Sequence, residues 1–492
     1  MQDETKKTRV NSNGMILDVD QNPKKISQWI ILSVQHILAM FVACITVPLL
    51  VFGGTTVVTE SGSTAYIAYL ASNGQSLAND LIAPTLVSAG VGTIFYLLMT
   101  KFKSPVFLAS SFAYIAPMST AIALGVKETQ TLPNLWCLPI GMAFVGLVYV
   151  IVALCIHFFG VDWLNKLLPP IVVGPVIMVI GLSLASSAIG NLTGSSGGSY
   201  NLIDIVCGLS AMAVTALCAH YGKKTVALIP FVIGMVSGYA VASVFTAIGY
   251  YGCGNEYFRI VNWQPLIDEF NPITVTSFID YPHFIFLQPA QAFDPVYLGN
   301  VALLFIPVAL VTICEHIGDH ENLSGILQRN LLKDPGLSRT LIGDGIATSI
   351  SGLLCGAANT TYGENVAVVG VTRIASAKVI LTAASGAILL GFIKPLMCLT
   401  MTIPGCVTGG VSLILYGFIA ASGVKLLIKE RIDMGKTKNI FVASVILVSG
   451  IGGLVLNFGS VSITPIAVAM ILGILMNVIL REKKTSKVTR EN

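Results

Sequence analysis

Three carboxylates stand where carboxylates are costly. Glu315 and Asp319 lie in "VTICEHIGDH" (311–320), at the end of an apolar run that begins at Val296. Glu364 lies in "NTTYGENVAVVGVTR" (359–373), inside another apolar stretch. Ionisable groups in such settings face the protein interior or a water-filled cavity, and they mark substrate and ion pathways. A spacing of four puts Glu315 and Asp319 on one helix face, while His316 and His320 point off it. Such carboxylates can accept hydrogen bonds from N–H groups. They can also exchange a proton, because a low-dielectric setting disfavours the charged form. Phe112, beside Ser111 in "LASSFAYIAP" (108–117), offers a face for a planar ligand. His36 in "VQHILAM" and Tyr416 in "ILYGFIA" are further polar groups within apolar runs. Asp344 and Asn457 read as loop or helix-end residues and carry no role.

Broken helices must position these groups. An Asn-Thr-Thr run does not propagate a helix well, so "GAANTTYGEN" predicts an extended stretch followed by a helix start. Thr360 or Thr361 can cap that helix, and Glu364 falls in its first turn, near the positive end of the dipole. The freed backbone groups are tolerable only against a partner segment or a cavity. "LASSFAYIAP" is a matching weak point, with Ser110-Ser111-Phe112 at mid-span and Pro117 beyond. Two broken helices, one per half of the chain, are expected to meet at their breaks.

The surrounding composition is that of a membrane protein. The 492 residues are 54% hydrophobic and 11% charged, against about 25% charged in soluble domains. About fourteen apolar runs between residues 29 and 480 approach the ~20 residues a helix needs to cross the hydrocarbon core. They are long and continuous, unlike the short alternating segments of outer-membrane barrels. Basic residues recur in every second connection, which places both termini in the cytoplasm. The net charge of +4 is this topology signal and not a nucleic-acid footprint, since no basic patch carries interleaved aromatics. The first 25 residues read as a disordered cytoplasmic tail, not a cleavable signal peptide. Ten cysteines without a CxxC pair read as small buried hydrophobes, with no disulfide framework and no metal site. No HExxH or nucleotide-binding loop suggests an enzyme.

The polar connection at 250–297 separates seven runs from seven. An odd number per half inverts the second half relative to the first. Short echoes agree: Gln35-His36-Ile37 with Glu315-His316-Ile317, and "PPIVVGPV" from Pro169 with "PGCVTGGV" from Pro404. Inverted-repeat transporters bind substrate near the midplane, at discontinuous helices.

The quoted segments "QH", "SSFAYIAP", "EHIGDH" and "NTTYGENVAVVGVTR", with "KDPGLSR" and "GGVSLILYGFIAASG", resemble the nucleobase–ascorbate transporter family, also called nucleobase:cation symporters. The resemblance covers nearly the whole chain and is nearest to the bacterial uracil branch. The family signature is Gln, Glu or Pro, then Asn, any residue, Gly, four residues, Thr, then Arg, Lys or Gly. Here it reads Glu364-Asn365-Val366-Ala367, then Thr372-Arg373, with Ala367 in place of the glycine.

That resemblance implies an all-α polytopic fold of about fourteen spans in two inverted sevens, with short antiparallel strands breaking spans three and ten. Core-domain halves would occupy 29–159 and 297–398. Gate-domain halves would occupy 160–250 and 399–481. An extracellular connection at 251–296 and cytoplasmic tails at 1–28 and 482–492 complete the chain. By analogy, Phe112, Glu315, Tyr362, Gly363 and Glu364 would hold uracil, supported by His36, Ser111, Asn365 and Tyr416. Glu315, Asp319 and His320 would handle the proton. The best-known uracil pattern has a histidine four residues after the glutamate; this chain has Asp319, with His320 next. The implied partners are uracil, protons, the lipid bilayer of the cell membrane and a second copy through the gate domains, without nucleic acid or cofactor. The rival readings are a xanthine/hypoxanthine symporter, which a glutamine at position 364 would favour, and an anion transporter on the related fold. The anion reading would want a basic or neutral midplane site.

Overall fold

A computed structural model describes residues 11, 14–53, 64–124, 135–194, 200–223, 226–284, 295–458 and 461–480. The tail at 482–492 lies outside them. The described chain is mostly helical. Eight of its helices are long and apolar enough to cross a membrane, and shorter apolar helices accompany them at 112–122, 377–390, 437–451 and 465–479.

Two compact units form, residues 1–160 with 184–416 and residues 161–183 with 417–492. In the first unit, α1 (Ile26–Gly53) and α2 (Thr64–Met99) precede the short strand β1 (Leu108–Ser110). A tight turn at Phe112–Tyr114 leads into α3 (Ile115–Leu124), and α4 (Cys137–Phe159) follows. The second unit takes up α5 (Asp162–Leu167) and α6 (Pro170–Ser183). The first unit resumes with α7 (Ala185–Gly194), α8 (Leu202–Tyr221), α9 (Pro230–Ala247) and the short α10 (Gln264–Glu269). It continues through α11 (Pro295–Leu327), α12 (Leu337–Leu353), β2 (Asn359–Thr361), α13 (Gly363–Thr372), α14 (Ala377–Leu390) and α15 (Lys394–Met401). Helix α16 (Gly405–Lys429) begins in the first unit and ends in the second. The second unit closes with α17 (Thr437–Ile451), a hairpin of β3 (Leu456–Phe458) and β4 (Val461–Ile463), and α18 (Pro465–Ile479). There α6 packs on α17 and α18.

Both expected helix breaks are present. β1 pairs antiparallel with β2, setting Leu108 opposite Thr361, Ala109 opposite Thr360 and Ser110 opposite Asn359. The Ser111 N–H extends the ladder to the Ala358 carbonyl at 2.8 Å. The outer edge of β1 is satisfied by Thr93 of α2. Its Oγ1 accepts the Leu108 N–H at 2.9 Å and donates to the Leu108 carbonyl at 3.3 Å. All three β1 residues are buried, and backbone groups buried in an apolar setting need such partners.

Small residues bring α12 close to its neighbours. An added Cβ on Gly146 of α4 would sit 2.7 Å from the Gly345 carbonyl, and one on Gly352 would sit 2.8 Å from the Pro139 Cα. Only a bare backbone permits that approach, as at helix interfaces in membranes generally.

One expectation is corrected. The segment after residue 14 is not a free tail. Ile16 N–H donates to the Arg373 carbonyl at 2.7 Å, Ala375 N–H to Leu17 at 2.9 Å and Ala377 N–H to Val19 at 3.0 Å. Met15, Asp18 and Val19 are buried. The cause is the alternation Met15-Leu17-Val19 within "MILDVD", a short strand pattern, set among polar residues that obscure it. Residues 1–10 lie outside the described residues.

Candidate functional site

Helix α11 carries Glu315 and Asp319 past α13, β2 and the 112–114 turn, all of which it packs against. Glu315 and Glu364 are close enough to sense each other's charge. Both remain partly accessible. Asp319 reaches the start of α13: an added Cβ on Gly363 would lie 3.3 Å from Asp319 Oδ1. Asp319, with Glu315 one turn back along α11, thus stands at the N-terminus of α13. An anion is favoured there by the helix dipole and by N–H groups with no carbonyl one turn back.

That helix starts as its sequence demands. Tyr362 is extended (φ −111°, ψ 106°) and buried. Its carbonyl accepts the Asn365 N–H at 3.1 Å and the Val366 N–H at 3.3 Å. The N–H groups of Gly363 and Glu364 precede those bonds in the first turn, and that of Glu364 faces its own carboxylate. Neither Thr360 nor Thr361 caps it through a side chain, because the first helical residue is Gly363 and the flanking position falls to Tyr362. Thr361 is engaged elsewhere.

His36 of α1 and Asn365 of α13 are joined at 2.8 Å, Nδ1 to Oδ1, and both are buried. With Asn365 Oδ1 turned to the histidine, Asn365 Nδ2 is left without a partner among the described residues. Phe112 is buried and meets Tyr416 edge-on, with ring centroids 6.3 Å apart. Ser111 is buried, its N–H committed to the strand ladder.

His320 stacks on His316, with ring centroids 4.0 Å apart. Its Nδ1–H donates to the His316 carbonyl at 2.8 Å, and its Nε2 is 2.6 Å from the Tyr96 hydroxyl and 3.3 Å from Ser104 Oγ. A carbonyl only accepts, so the bond to His316 fixes which nitrogen of His320 carries hydrogen.

Sequence reasoning missed Asp344. It is neither in a loop nor at a helix end but fully buried within α12. Its Oδ2 is 2.7 Å from His316 Nδ1 and 3.1 Å from Thr361 Oγ1. His316 Nε2 is 3.0 Å from Thr340 Oγ1. A charged residue inside a helix expected to span the membrane was the available signal.

A multi-pass helical protein with carboxylates gathered at two strand-paired helix breaks is of the membrane-transporter class. Residues 27–459 match the family described as "Permease family". The uracil permease of Bacillus caldolyticus is 39% identical over 95% of both chains. That of Bacillus subtilis is 36% identical over 93% of both, and that of Escherichia coli K12 is 32% identical over 94% of both. The chain belongs to this permease family, whose named relatives are transporters and not enzymes. Among solved structures, the transmembrane domain of the cyanobacterial bicarbonate transporter BicA aligns with a TM-score of 0.50 at 14% identity, covering 90% of this chain and 96% of that one. SLC26A9 aligns with a TM-score of 0.57 at 13% identity, covering 92% and 66%. At these identities the likeness carries the fold alone.

Proposed function

We propose that the protein imports uracil across the plasma membrane by proton symport. The observation that carries the reading is Asp319 standing against Gly363 at the start of α13, whose first turn holds Glu364, with Glu315 one turn back along α11, in a chain whose relatives are named uracil permeases. Uracil is a flat neutral ring with two N–H donors and two carbonyl acceptors. Glu364 and Glu315 accept from the N–H groups, and charge-assisted bonds of this kind are the strong ones. The Gly363 N–H, with Asn365 Nδ2, supplies donors for a ring carbonyl. Phe112 provides the stacking face, with Tyr416 backing it. A site built on such bonds rejects rings that lack the matching groups.

A neutral solute gives the membrane potential nothing to act on. A co-transported proton supplies a charge worth about 2.3 kcal/mol per 100 mV. Glu315 takes that proton, Asp319 adjoins it, and His320 serves at a distance through its own bonds. Fourteen spans in two inverted sevens, core and gate domains that move by alternating access, cytoplasmic termini and a dimer through the gate domains belong to the same reading. An anion substrate fits poorly, because it would meet carboxylates.

Uptake of labelled uracil into proteoliposomes tests this, with an inward proton gradient and again with the gradient collapsed. Accumulation that follows the gradient is expected. Equal uptake in both conditions would remove the proton step. Absence of uptake alongside transport of xanthine would transfer the site to a purine.

A further inference from the structure

Every strand has two edges, and β2 gives only one of them to β1. The other faces α12. Ser351 Oγ donates to the Ala357 carbonyl, Thr348 Oγ1 donates to the Asn359 carbonyl, and Asp344 Oδ2 accepts the Thr361 N–H at 3.4 Å and the Thr361 hydroxyl at 3.1 Å. The three helix residues are seven positions apart end to end and share one face at spacings of four and three. They meet alternate residues of the extended segment: 357, 359 and 361. All three helix side chains are fully buried. A row of helical side chains thus stands in for a third strand.

The last rung differs from the others. Ser351 and Thr348 hold carbonyls, whereas Asp344 holds the donor groups of Thr361 and also reaches His316 Nδ1 at 2.7 Å. The same His316 nitrogen is 2.7 Å from Thr361 Oγ1. His316 is the chain neighbour of Glu315. Thr361 precedes Gly363 and Glu364 by two and three residues. One carboxylate oxygen therefore ties the backbone that ends at Glu364 to the helix that carries Glu315.

We infer that Asp344 is a positioning residue: as the last rung of an α12 ladder on β2, it fixes the spacing between Glu315 and Glu364. It touches no substrate. Its consequence for affinity rests on the uracil reading of the site; its hold on β2 does not.

Two readouts on purified full-length protein separate these. Hydrogen–deuterium exchange reports the 357–366 backbone, and labelled-uracil binding reports the site. In Asp344→Ala, faster exchange confined to 357–366 is expected, with uracil affinity lowered about tenfold or more, as small displacements of reacting groups carry costs of this order. Asp344→Asn keeps an oxygen for Thr361 and is expected to restore both readouts to within a few-fold of wild type. If Asp344→Ala does not yield folded protein, the double variant Thr348→Val with Ser351→Ala is used, and faster exchange at 357–360 is expected. Unchanged exchange in a folded variant would overturn the ladder. Faster exchange with unchanged uracil affinity would overturn the positioning role. Failure of the wild type to bind uracil would strike the substrate reading, and exchange would still decide the hold on β2.

Discussion

Gly363 lies against the carboxylate of Asp319. A Cβ at position 363 would come within 3.3 Å of Asp319 Oδ1 and 3.6 Å of Oδ2. Gly363 does not occupy the left-handed region, so space and not backbone freedom makes glycine the fitting residue. Gly363→Ala is expected to shift the Asp319 carboxylate by a few tenths of an ångström and weaken uracil binding. Asp319→Ala should remove the tight contact, so the double variant binds no worse than Asp319→Ala alone. Neighbouring residues that share a contact are non-additive in this way. Losses that simply add, measured by labelled-uracil binding, would mean the contact is irrelevant.

A second cluster ties the 264–284 segment to the start of α15. Lys394 Nζ is 2.6 Å from Asp280 Oδ2 and 3.5 Å from Glu269 Oε2, and backbone bonds join Asp280 to Phe392 and Lys394 to Phe278. Partial burial works against the ionised Asp280, but the hydrogen bond and charge of Lys394 outweigh it and hold the carboxyl below its ordinary value. A depressed folded pKa gives stability that is fully present above the unfolded value of about 3.9 and is lost as pH falls through the folded one. The tie is therefore constant across neutral pH. Lys394→Ala is expected to cost about 1 kcal/mol or less in thermal unfolding. It should leave the shape of the uptake–pH curve unchanged above about pH 5. A curve that changes shape there would implicate this pair in coupling.

The N-terminal segment gives a third test. Arg329, just past the end of α11, donates to Asp18 Oδ2 at 2.7 Å; Asp18 is buried and Arg329 half exposed. The same segment bonds to 373–377, just past the end of α13. Removing residues 1–19 is expected to lower the melting temperature more than removing 1–13. A double-mutant cycle on Asp18 and Arg329 is expected to give a coupling of about 0.5–1 kcal/mol. Equal melting temperatures for the two truncations would show that residues 14–19 contribute nothing.

The pattern of success and failure in the sequence has physical causes. Asn-Thr-Thr and Ser-Ser-Phe interrupt apolar runs, so two broken helices meeting at their breaks could be anticipated, while the strand pairing of β1 and β2 was implied by the family resemblance alone. Glu315 and Asp319 could be placed on one face because helical spacing is local information. Asp344 was misread because "GDG" is a turn signal in soluble proteins. Here the two glycines serve packing: an added Cβ on Gly343 would lie 3.1 Å from Tyr96 Cδ2, and one on Gly345 3.0 Å from Tyr149 Cγ. The bond between Tyr96 and His320 joins residues 224 positions apart, and no local pattern announces it.

The two glutamates should separate when each is replaced by its neutral isostere. Glu364 sits in the first turn of α13 beside freed N–H groups, where a ring would be bound. Glu364→Gln turns one acceptor oxygen into a donor facing a ring N–H, and a buried donor left without an acceptor costs about 1–3 kcal/mol. Uracil affinity is expected to fall about tenfold to a hundredfold at every pH. Glu315→Gln removes a titrating group and keeps most of the shape. It should flatten the dependence of uptake on the proton gradient more than it weakens binding, and counterflow exchange of uracil should persist. The two measurements are equilibrium binding and gradient-driven uptake, made on the same preparations. Retained binding in Glu364→Gln would take that carboxylate out of ring recognition. An unchanged gradient response in Glu315→Gln would move the proton to Asp319, which shares its helix face and touches Gly363.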